Sequence, residues 1–270
     1  MSAAATSSLR IGVDVGGTFT DLAVVDDATG HIAFHKVPST PDDPSRAIAT
    51  GIAELLALIG RLATEVGFLG HGTTVATNMV IERKGSRTGM LTTHGFRDIL
   101  EIGRQTRPHL YDYRVKRPVP LVPRRRRLEV SERLAAEGAV LSPLDPAEIE
   151  ALARRLAEAR VEAVAICFIH AWRDPAHEQA AREVVQRILP EAYISLSSEI
   201  SPEFREFDRF STTVLNTYVG PRVSTYLQRL LDRVAGVGVT VAPYTIHSNG
   251  GLMSVETARI APVRTCLSGT

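Results

Sequence analysis

The amino-acid sequence predicts an α/β fold, and two observations carry that prediction. Between residues 144 and 196, helical patterns alternate with apolar runs, and residues 164–169 are continuously apolar. Continuous rather than alternating hydrophobicity is typical of a parallel strand in a sheet that is covered on both faces. Near the start of the chain, two further apolar runs flank a pair of glycines, which indicates a β-hairpin.

Composition limits the classes of protein to which the chain can belong. It has 270 residues, of which 44% are hydrophobic and 23% charged, and its formal net charge is +1. These values are typical of a globular protein with one large or two modest domains. A net charge near zero gives no general attraction to nucleic acid or anionic lipid, so neither partner is expected.

The sequence also predicts a cytoplasmic protein that does not enter a membrane. Residues 1–8 are small and polar, lack the features of a signal peptide, and are expected to form a disordered tail. No stretch approaches the roughly 20 apolar residues that cross a bilayer. The two cysteines, Cys167 and Cys266, cannot form a disulfide framework, and Cys167 is expected to be a small buried side chain.

Residues 14–21 read Asp-Val-Gly-Gly-Thr-Phe-Thr-Asp and predict a strand, a glycine turn and a second strand. Consecutive glycines permit backbone angles that other residues avoid, and they let an anion approach the amides of the turn. Thr18 and Thr20 can donate to phosphate oxygens, and Asp14 can hold a magnesium ion, usually through water. A Walker loop and a dinucleotide fingerprint lack their required residues here. An ordinary hairpin turn is the alternative.

A third strand and a helix follow the hairpin. Residues 31–37 alternate in polarity, which predicts the strand. Asp43 is the expected N-cap of the helix, Pro44 its first residue and Gly60 its end, with apolar residues at helical spacing between them. This apolar stripe is expected to pack in the core.

A polar cluster at residues 71–74 precedes a helix that is predicted over residues 75–83 and closed by Gly85. The start of a helix offers free amides and a positive dipole. The cluster, together with Asn78, can therefore bind the carbonyl or phosphate of a substrate. The alternative is that one of its two threonines only caps the helix.

The middle of the chain, residues 87–177, is predicted to form strands, helices and a surface segment but no functional site. A strand at residues 87–93 and a short helix at 95–103 lead into a proline-rich, basic segment. The four arginines at 124–127 are expected to form a solvated face, because carboxylates lie nearby in the sequence. After the strand at 164–169 come histidines and a tryptophan without a partner at metal-ligand spacing, so structural roles are expected for His170, Trp172 and His177.

The last third predicts a second set of elements. A strand at residues 193–196 precedes Ser197, Ser198 and Glu199, and a long helix is expected to break at Gly220 and Pro221 before a second helix. A strand at residues 239–246 follows, then a glycine turn at 249–251 and a capped helix that starts at Ser254. The glycine turn is either a plain turn or a close-approach loop.

Several motifs together resemble the hydantoinase/oxoprolinase family, whose members include N-methylhydantoinase, 5-oxoprolinase and an acetone carboxylase subunit. The resemblance extends over nearly the whole chain. Its motifs are DVGGTFTD from Asp14, HGTTVATN from His71, GFRDILEIGRQTRP from Gly95, SPEFREFDRFSTTVLNTYVGP from Ser201 and SNGGLMS from Ser248. A histidine often stands in the family where this chain has Ser198, whereas Glu199 is retained.

The resemblance implies the actin-like ATPase (ribonuclease H-like) fold, in which two α/β domains close on ATP. This chain would be its N-terminal half, with a β-hairpin phosphate loop. The implied regions are an N-terminal α/β domain at residues 9–200 and the start of the hydantoinase A domain at 201–270. The family's second phosphate loop and adenosine pocket normally follow the position of Ser268-Gly269-Thr270, so the chain by itself is expected to lack substantial ATP turnover.

The resemblance further implies an ATP-dependent hydrolase that opens a cyclic amide, such as a hydantoin or 5-oxoproline, after phosphorylation of the amide oxygen. Magnesium would be held by Asp14, and the catalytic residues would be Asp14, His71 and Glu199. The nucleotide would be bound by Gly16, Gly17, Thr18, Phe19 and Thr20. The ring would be bound by His71, Gly72, Thr73, Thr74 and Asn78.

Two other functions fit the same motifs. An acetone-carboxylase-type subunit would phosphorylate a ketone or bicarbonate with the same hairpin. A non-catalytic assembly module, or an incomplete fragment, is the second alternative. The expected partner is a second subunit or domain of hydantoinase B type, and an oligomer is expected.

Overall fold

The structure is a computed structural model that describes residues 9–106, 109–112 and 114–266. The predicted tail at residues 1–8 and the final Ser268-Gly269-Thr270 lie outside the described residues. The chain divides into two compact units, Met1–Lys84 with Arg222–Thr270, and Gly85–Pro221. Each unit is built from strands and helices, which confirms the α/β class. The predicted boundary after residue 200 falls inside the second unit and does not separate the two.

The first unit begins with a three-stranded antiparallel meander, followed by a helix and a parallel strand. Its first elements are β1 (Leu9–Val15), β2 (Phe19–Asp26), β3 (Ile32–Pro38), α1 (Pro44–Ile59), β4 (Val66–Thr73) and α2 (Val75–Ile81). Alternate residues of β1 are buried, and α1 packs on β1, β2 and β3. As predicted, α1 has Pro44 at its start and ends at Gly60, whose φ of +66° is in the left-handed region.

The second unit contains a four-stranded parallel sheet in the order β10-β9-β5-β6. Its elements are β5 (Thr88–Thr93), α3 (Ile99–Ile102), β6 (Arg127–Val130), β7 (Arg133–Leu134), β8 (Val140–Ser142), α4 (Pro146–Glu158), β9 (Ala163–Cys167), α5 (Ala176–Ile188), β10 (Tyr193–Leu196) and α6 (Ser197–Ile200). Apolar side chains of α4 and α5 pack on one set of strand residues, and Phe210 and Val214 pack on the other. The sheet is therefore covered on both faces, as predicted.

The last elements complete the sheet of the first unit. They are α7 (Glu206–Val237), β11 (Tyr244–Ile246), β12 (Leu252–Ser254) and α8 (Val255–Ile260). Strand β11 is parallel to β4, which gives the order β12-β11-β4-β1-β2-β3. The predicted strand at 239–246 is thus shorter than expected. The glycine turn between β11 and β12 and the cap at Ser254, which accepts from Thr257 N at 3.2 Å, are confirmed.

Two glycines that were expected to end helices instead accommodate aromatic rings. Helix α7 continues through Gly220 and Pro221, so the predicted break is wrong. A Cβ at Gly220 would lie 2.3 Å from the ring of Tyr193, and a Cβ at Gly85 would lie 2.2 Å from the ring of Tyr218. Helix α2 already ends at Ile81. The absence of a side chain at these glycines therefore serves close packing rather than helix termination.

The arginine run is only partly the solvated face that the sequence predicted. Arg124 donates to both carboxylate oxygens of Asp98, at 2.7 and 3.0 Å. Arg127 is completely buried and donates to the backbone oxygen of Val122 at 2.9 Å and to Glu101 at 3.1 Å. Charge-assisted bonds of this kind hold the irregular segment before β6 against the second unit's own loops.

Both cysteines are free thiols, one in each unit. Cys167 is buried as predicted, and burial raises the pKa of its thiol well above the ordinary value. Burial also raises the pKa of Cys266 to about 11. Across residues 9–106, 109–112 and 114–266, no helix has both the length and the apolar character that a membrane span requires.

Candidate functional site

The predicted hairpin between β1 and β2 is present, and backbone bonds close it. Gly16 N donates to Phe19 O at 3.0 Å, and Ser39 N donates to Thr18 O at 2.9 Å. The Ser39 hydroxyl also donates to Gly16 O at 2.8 Å. Gly17 and Thr18 are exposed at the tip. The amide of Gly16 is thus used by the hairpin itself, whereas the tip is open to a ligand.

Gly16 and Gly17 are glycines for different structural reasons, and neither reason is the backbone angle that was predicted. Neither Gly16 nor Gly17 has a φ in the left-handed region, so the expectation of unusual backbone angles is wrong. A Cβ at Gly16 would lie 2.9 Å from Phe19 O, which would push the closing hydrogen bond apart. A Cβ at Gly17 would meet no atom within 4 Å. Gly16 is required by the hairpin, and Gly17 leaves the space beside the tip empty.

Thr20 was expected to bind phosphate, but the structure places it inside the protein. It has no exposed surface, and its hydroxyl lies 3.0 Å from that of Ser39. Since Ser39 donates its proton to Gly16 O, Thr20 donates to Ser39. These two hydrogen bonds fix the hairpin to the residue that follows β3. Ser39 was missed because it lies between prolines in a segment that indicated only the end of a strand.

Asp14 lies on the opposite sheet face from the buried side chains of β1, next to Asp21 on β2 and Gly72 on β4. Asp21 forms an ion pair with Lys36 at 2.9 Å, whereas Asp14 has no ion pair within the described residues. A Cβ at Gly72 would lie 3.4 Å from Asp14 Oδ1, so glycine keeps that side clear. A half-buried carboxylate with free space is suited to a hydrated magnesium ion. In the described ranges, no three metal-ligating side chains come together.

A cavity of about 670 Å³ extends from Asp14 across the same sheet face. Three glycines of β1 and β4 lie along this face, Gly12 opposite Gly70 and then Gly72, and apolar side chains surround the cavity. Those side chains include Phe34, Phe68, Ile246 and Leu252. The cavity can receive an apolar ring or side chain next to the carboxylate of Asp14, while the second lining carboxylate, Asp21, is paired with Lys36.

His71 was expected to contact the substrate ring, but it lies on the other face of β4. It pairs in register with buried Val13, not with Asp14, and is only 1% exposed. Its Nε2 is 2.5 Å from the hydroxyl of Tyr226 on α7. Burial lowers the pKa of His71 from 6.5 to about 4, so the ring is neutral at physiological pH. In this position His71 stabilises the first unit and does not reach the cavity of Asp14.

The buried position of His71 predicts a loss of stability in acid. Its lowered pKa means that the folded protein binds fewer protons than the unfolded chain between pH 6.5 and 4. The stabilisation is complete above pH 6.5 and is lost as the pH falls toward 4, by about 3 kcal/mol for the shift of His71. Urea unfolding of the wild type and His71→Gln at pH 7 and 4.5 measures this contribution, because glutamine does not titrate.

The matched control for this measurement is His31→Gln, which alters an exposed histidine. We expect His31→Gln to retain the pH dependence of the wild type and His71→Gln to flatten it. An equal loss of stability in acid for the wild type and His71→Gln would contradict the assignment.

The other polar residues of this segment, Thr73, Thr74 and Asn78, were predicted either to bind a ligand or to cap α2, and they differ in burial and in hydrogen bonding. Thr73 is buried and accepts from Val75 N at 3.2 Å, which is a capping contact. Thr74 lies 3.5 Å from the backbone oxygen of Val15, and Asn78 Nδ2 donates to Thr74 Oγ1 at 3.3 Å. Thr73 pairs with Val15 at the end of β1 but its side chain is buried, whereas Thr74 and Asn78 are at least partly exposed near the place where the hairpin begins.

Glu199 was expected to be catalytic, and it lies in the second unit on α6. Its exposed carboxylate pairs with Arg182 at 2.8 and 3.0 Å. Asp14 belongs to the first unit, so neither unit by itself contains both carboxylates. A catalytic role for Glu199 remains a prediction without a structural contact that supports it.

A buried carboxylate near Glu199 was not predicted. Glu178 on α5 accepts from Phe168 N and Ser198 N, both at 2.9 Å, and from the hydroxyls of Ser197 and Ser198 at 2.6 and 2.7 Å. Arg209 donates to Ser197 Oγ at 3.1 Å. Burial raises the pKa of Glu178, and these bonds act in the opposite direction. The signal in the sequence was a pair of serines at the end of one strand and a glutamate in the first turn of the helix that follows the neighbouring strand.

Comparison with protein families and known proteins adds to this geometry. Residues 10–189 match the family described as hydantoinase/oxoprolinase N-terminal region, and residues 209–270 match the one described as hydantoinase/oxoprolinase. The caprolactamase subunit alpha of Pseudomonas jessenii is 37% identical over 266 residues, which cover 96% of this chain and 38% of that protein.

Solved structures are similar over the same extent. An ATP-dependent caprolactamase from Pseudomonas jessenii has a TM-score of 0.87 at 37% identity and is matched over 96% of this chain and 38% of that one. A nucleotide-free acetone carboxylase also has a TM-score of 0.87, at 26% identity, over 97% of this chain and 39% of that one. The chain thus spans less than half the length of these proteins.

Proposed function

The chain belongs to the hydantoinase/oxoprolinase family, and from that premise we propose that it is the N-terminal part of an ATP-dependent hydrolase that opens a cyclic amide. The γ-phosphoryl group of ATP would pass to the amide oxygen and activate the amide carbon, so that water adds to that carbon and the C–N bond breaks with the nitrogen leaving as an amine. A second water would then hydrolyse the resulting acyl phosphate to the open-chain amino acid and inorganic phosphate. The observation that carries the proposal is the exposed Gly17-Thr18 tip at the end of β1, close in the chain to the unpaired carboxylate of Asp14.

Each residue of the proposed site has a limited task. Gly17 and Thr18 receive the phosphates, with the half-exposed ring of Phe19 beside them. Asp14 holds magnesium, which when bound would neutralise charge on the phosphates. The apolar cavity next to Asp14 accepts the ring, and Thr74 and Asn78 offer polar contacts where β1 ends. His71, Thr73 and Thr20 support this arrangement from inside the unit.

The proposed fold of the first unit is the N-terminal half of an actin-like ATPase, of ribonuclease H-like type. It is supported by the antiparallel β1-β2-β3 meander, followed by α1 and the parallel strands β4 and β11. In such a fold ATP lies between two halves, so the remaining polypeptide of the longer relatives would supply the second wall.

A partner chain is part of the proposal. The caprolactamase relative is named as a subunit, which supports a second subunit, and we assign it to the hydantoinase B type. An oligomer that contains both chains would then deliver the water or hydroxide that opens the ring. The cytoplasm is the proposed compartment, because the two cysteines are free thiols.

The second candidate is a carboxylase-type subunit that phosphorylates a ketone or bicarbonate. It is favoured by the similarity to acetone carboxylase over 97% of the chain. The hairpin and Asp14 would act identically in both cases, so ATP turnover with a lactam against turnover with a ketone and bicarbonate distinguishes them. A non-catalytic module would show neither turnover.

Substitution of Gly17 by valine tests the phosphate role of the hairpin. The side chain would enter empty space at the tip, so we expect the melting temperature to change by less than about 2 °C. ATP affinity should fall at least about tenfold, because the branched side chain blocks the approach of a phosphate to the amides. The measurement is calorimetric ATP binding by an enzyme that contains this region and the remaining polypeptide of its relatives.

The matched control is Gly236→Ala, since a Cβ there also meets no atom within 4 Å, but the residue lies in α7. It should leave ATP affinity unchanged. Normal melting combined with normal ATP binding for Gly17→Val would show that the hairpin is an ordinary turn.

A further inference from the structure

The arginine run before β6 contains two cations that no carboxylate compensates. Arg124 and Arg127 are held by the ion pairs described above. Arg125 and Arg126 form no ion pair and no side-chain hydrogen bond within the described residues, and the same holds for the side chain of Arg87. These three positive charges are thus left without a counter-ion in that part of the chain.

The guanidinium group of Arg126 is partly buried and lacks the partners that a buried charge requires. Its Nε and Nη1 are inaccessible to solvent, and neither has a hydrogen-bond partner in the described ranges. Nη2 has no partner there either, and it is the nitrogen through which the group reaches solvent. Burial lowers the pKa of Arg126, and the positive charges of Arg125 and Arg87 lower it further, without a carboxylate of the described residues that acts in the opposite direction. Because arginine stays protonated in proteins, an anion at Nη2 would relieve an unfavourable charge.

Strand geometry brings these arginines to one edge of the second unit's sheet. Strands β5 and β6 are parallel neighbours, Arg87 immediately precedes β5, and Arg126 immediately precedes β6. Both therefore lie at the amino edge of the sheet, with Arg125 next in the chain. Since the charges of Arg87 and Arg125 act on Arg126, the three groups lie within electrostatic range of one another. Arg87 and Arg125 are exposed, so their side chains can move toward a ligand at Arg126.

The arrangement favours a phosphate group over a carboxylate. A carboxylate brings one negative charge and a phosphate group about two, so three uncompensated cations attract phosphate more strongly. A planar carboxylate is best bound by two parallel N–H groups of one guanidinium, whereas Arg126 offers a single accessible nitrogen. Phosphate oxygens point in several directions, and three separate guanidinium groups can donate to them at once.

We infer that Arg87, Arg125 and Arg126 form a binding site for a phosphate dianion, either free or as a monoester, at the amino edge of the second unit's sheet. Nη2 of Arg126 is the fixed donor, and the two exposed arginines close on the remaining oxygens. The three residues belong to the second unit, whereas the Gly17-Thr18 tip belongs to the first. This site can therefore fail while the proposed hairpin site stands, and the hairpin site can fail while this one stands.

Calorimetric titration with inorganic phosphate tests the site, at pH 8 and at constant ionic strength in chloride so that general screening does not change. The protein carries Gly17→Val, which removes the proposed hairpin site from the measurement and leaves the second unit unaltered. Phenyl phosphate is titrated in the same way, and the tighter of the two dianions shows whether free phosphate or a monoester is preferred. Acetate is the comparison probe. We expect saturable binding of phosphate and an affinity for acetate that is at least about tenfold weaker.

Arg126→Gln, made in the same background, tests the fixed donor directly. We expect it to weaken phosphate binding at least about tenfold. Arg187→Gln is the matched control, because it removes the same charge from an exposed arginine of α5 in the same unit, and it should leave binding unchanged. Heats that do not saturate with either dianion, equal affinities for phosphate and acetate, or unaltered binding in folded Arg126→Gln would each overturn the proposal. If Arg126→Gln does not fold, the exposed variant Arg125→Gln replaces it with an expected loss of at least about threefold, and unaltered binding there overturns the proposal as well.

Discussion

Asp14→Asn is expected to reduce turnover about a hundredfold or more while ATP binding is retained, in an enzyme that contains this region and the remaining polypeptide of its relatives. The change keeps the shape of the side chain but removes its charge. If Asp14 holds magnesium, the loss is confined to stabilisation of the transition state, and a hundredfold corresponds to about 3 kcal/mol. Turnover and ATP affinity, measured for both proteins at several magnesium concentrations, separate the two effects.

Asp21→Asn is the matched control, because Asp21 lies directly opposite Asp14 on the same sheet face. Its partner is Lys36, and both side chains are more than half exposed, so little stability depends on this pair. We expect its turnover to stay within about threefold of the wild type. Equal losses in the two variants would indicate a general effect of negative charge on this face. Unchanged turnover in Asp14→Asn would remove Asp14 from the mechanism.

Glu178→Ala is expected to reduce the free energy of unfolding by about 4 kcal/mol. The substitution leaves the buried donors of Ser197, Ser198 and Phe168 without their acceptor. It also removes the negative charge near buried Arg209, and an unpaired buried charge typically costs about 3–5 kcal/mol. Chemical denaturation at neutral pH, followed by circular dichroism, measures the change.

Glu199→Ala provides the comparison on a neighbouring element. Its ion pair with Arg182 is exposed to solvent, so we expect a loss below about 1 kcal/mol. If Glu199→Ala destabilises the protein as much as Glu178→Ala does, the buried network is not what holds α5 and α6 to the sheet. A selective loss of turnover in the stable Glu199→Ala variant would instead support the predicted catalytic role of Glu199.

Short stretches of sequence were enough to predict the elements whose ends are set by residues next to them in the chain. The hairpin, the start of α1 at Pro44 and its end at Gly60, and β10 were all predicted from short stretches of sequence. The predicted ends at Gly85 and Gly220 failed because glycine serves equally for a turn and for close packing. The rings that decide between these uses, Tyr218 and Tyr193, are distant in the sequence.

The kind of site could be predicted from the sequence, but the sheet face on which each of its side chains lies could not. Alternation along β4 places His71 and Gly72 on opposite faces, and nothing near them indicates which face is buried. Tyr226, the partner of His71, lies 155 residues away. Thr20 was likewise predicted to bind phosphate, but its hydroxyl bonds to that of Ser39, which follows β3 and lies 19 residues further along the chain. Contacts between residues that are far apart in the sequence, rather than the motifs themselves, decide which of these side chains are free to bind a ligand and which are buried and support the fold.

The buried thiol of Cys167 gives the second unit a built-in reporter of local opening. Its raised pKa leaves almost no thiolate at neutral pH, and the thiolate is the form that alkylating reagents attack. Alkylation of Cys167 therefore has to wait for a local opening of the second unit, whereas Cys266 in the first unit is partly exposed and provides an internal comparison in the same sample. Mass spectrometry of alkylated peptides over time would then give an opening rate for the second unit, without introducing any label or substitution.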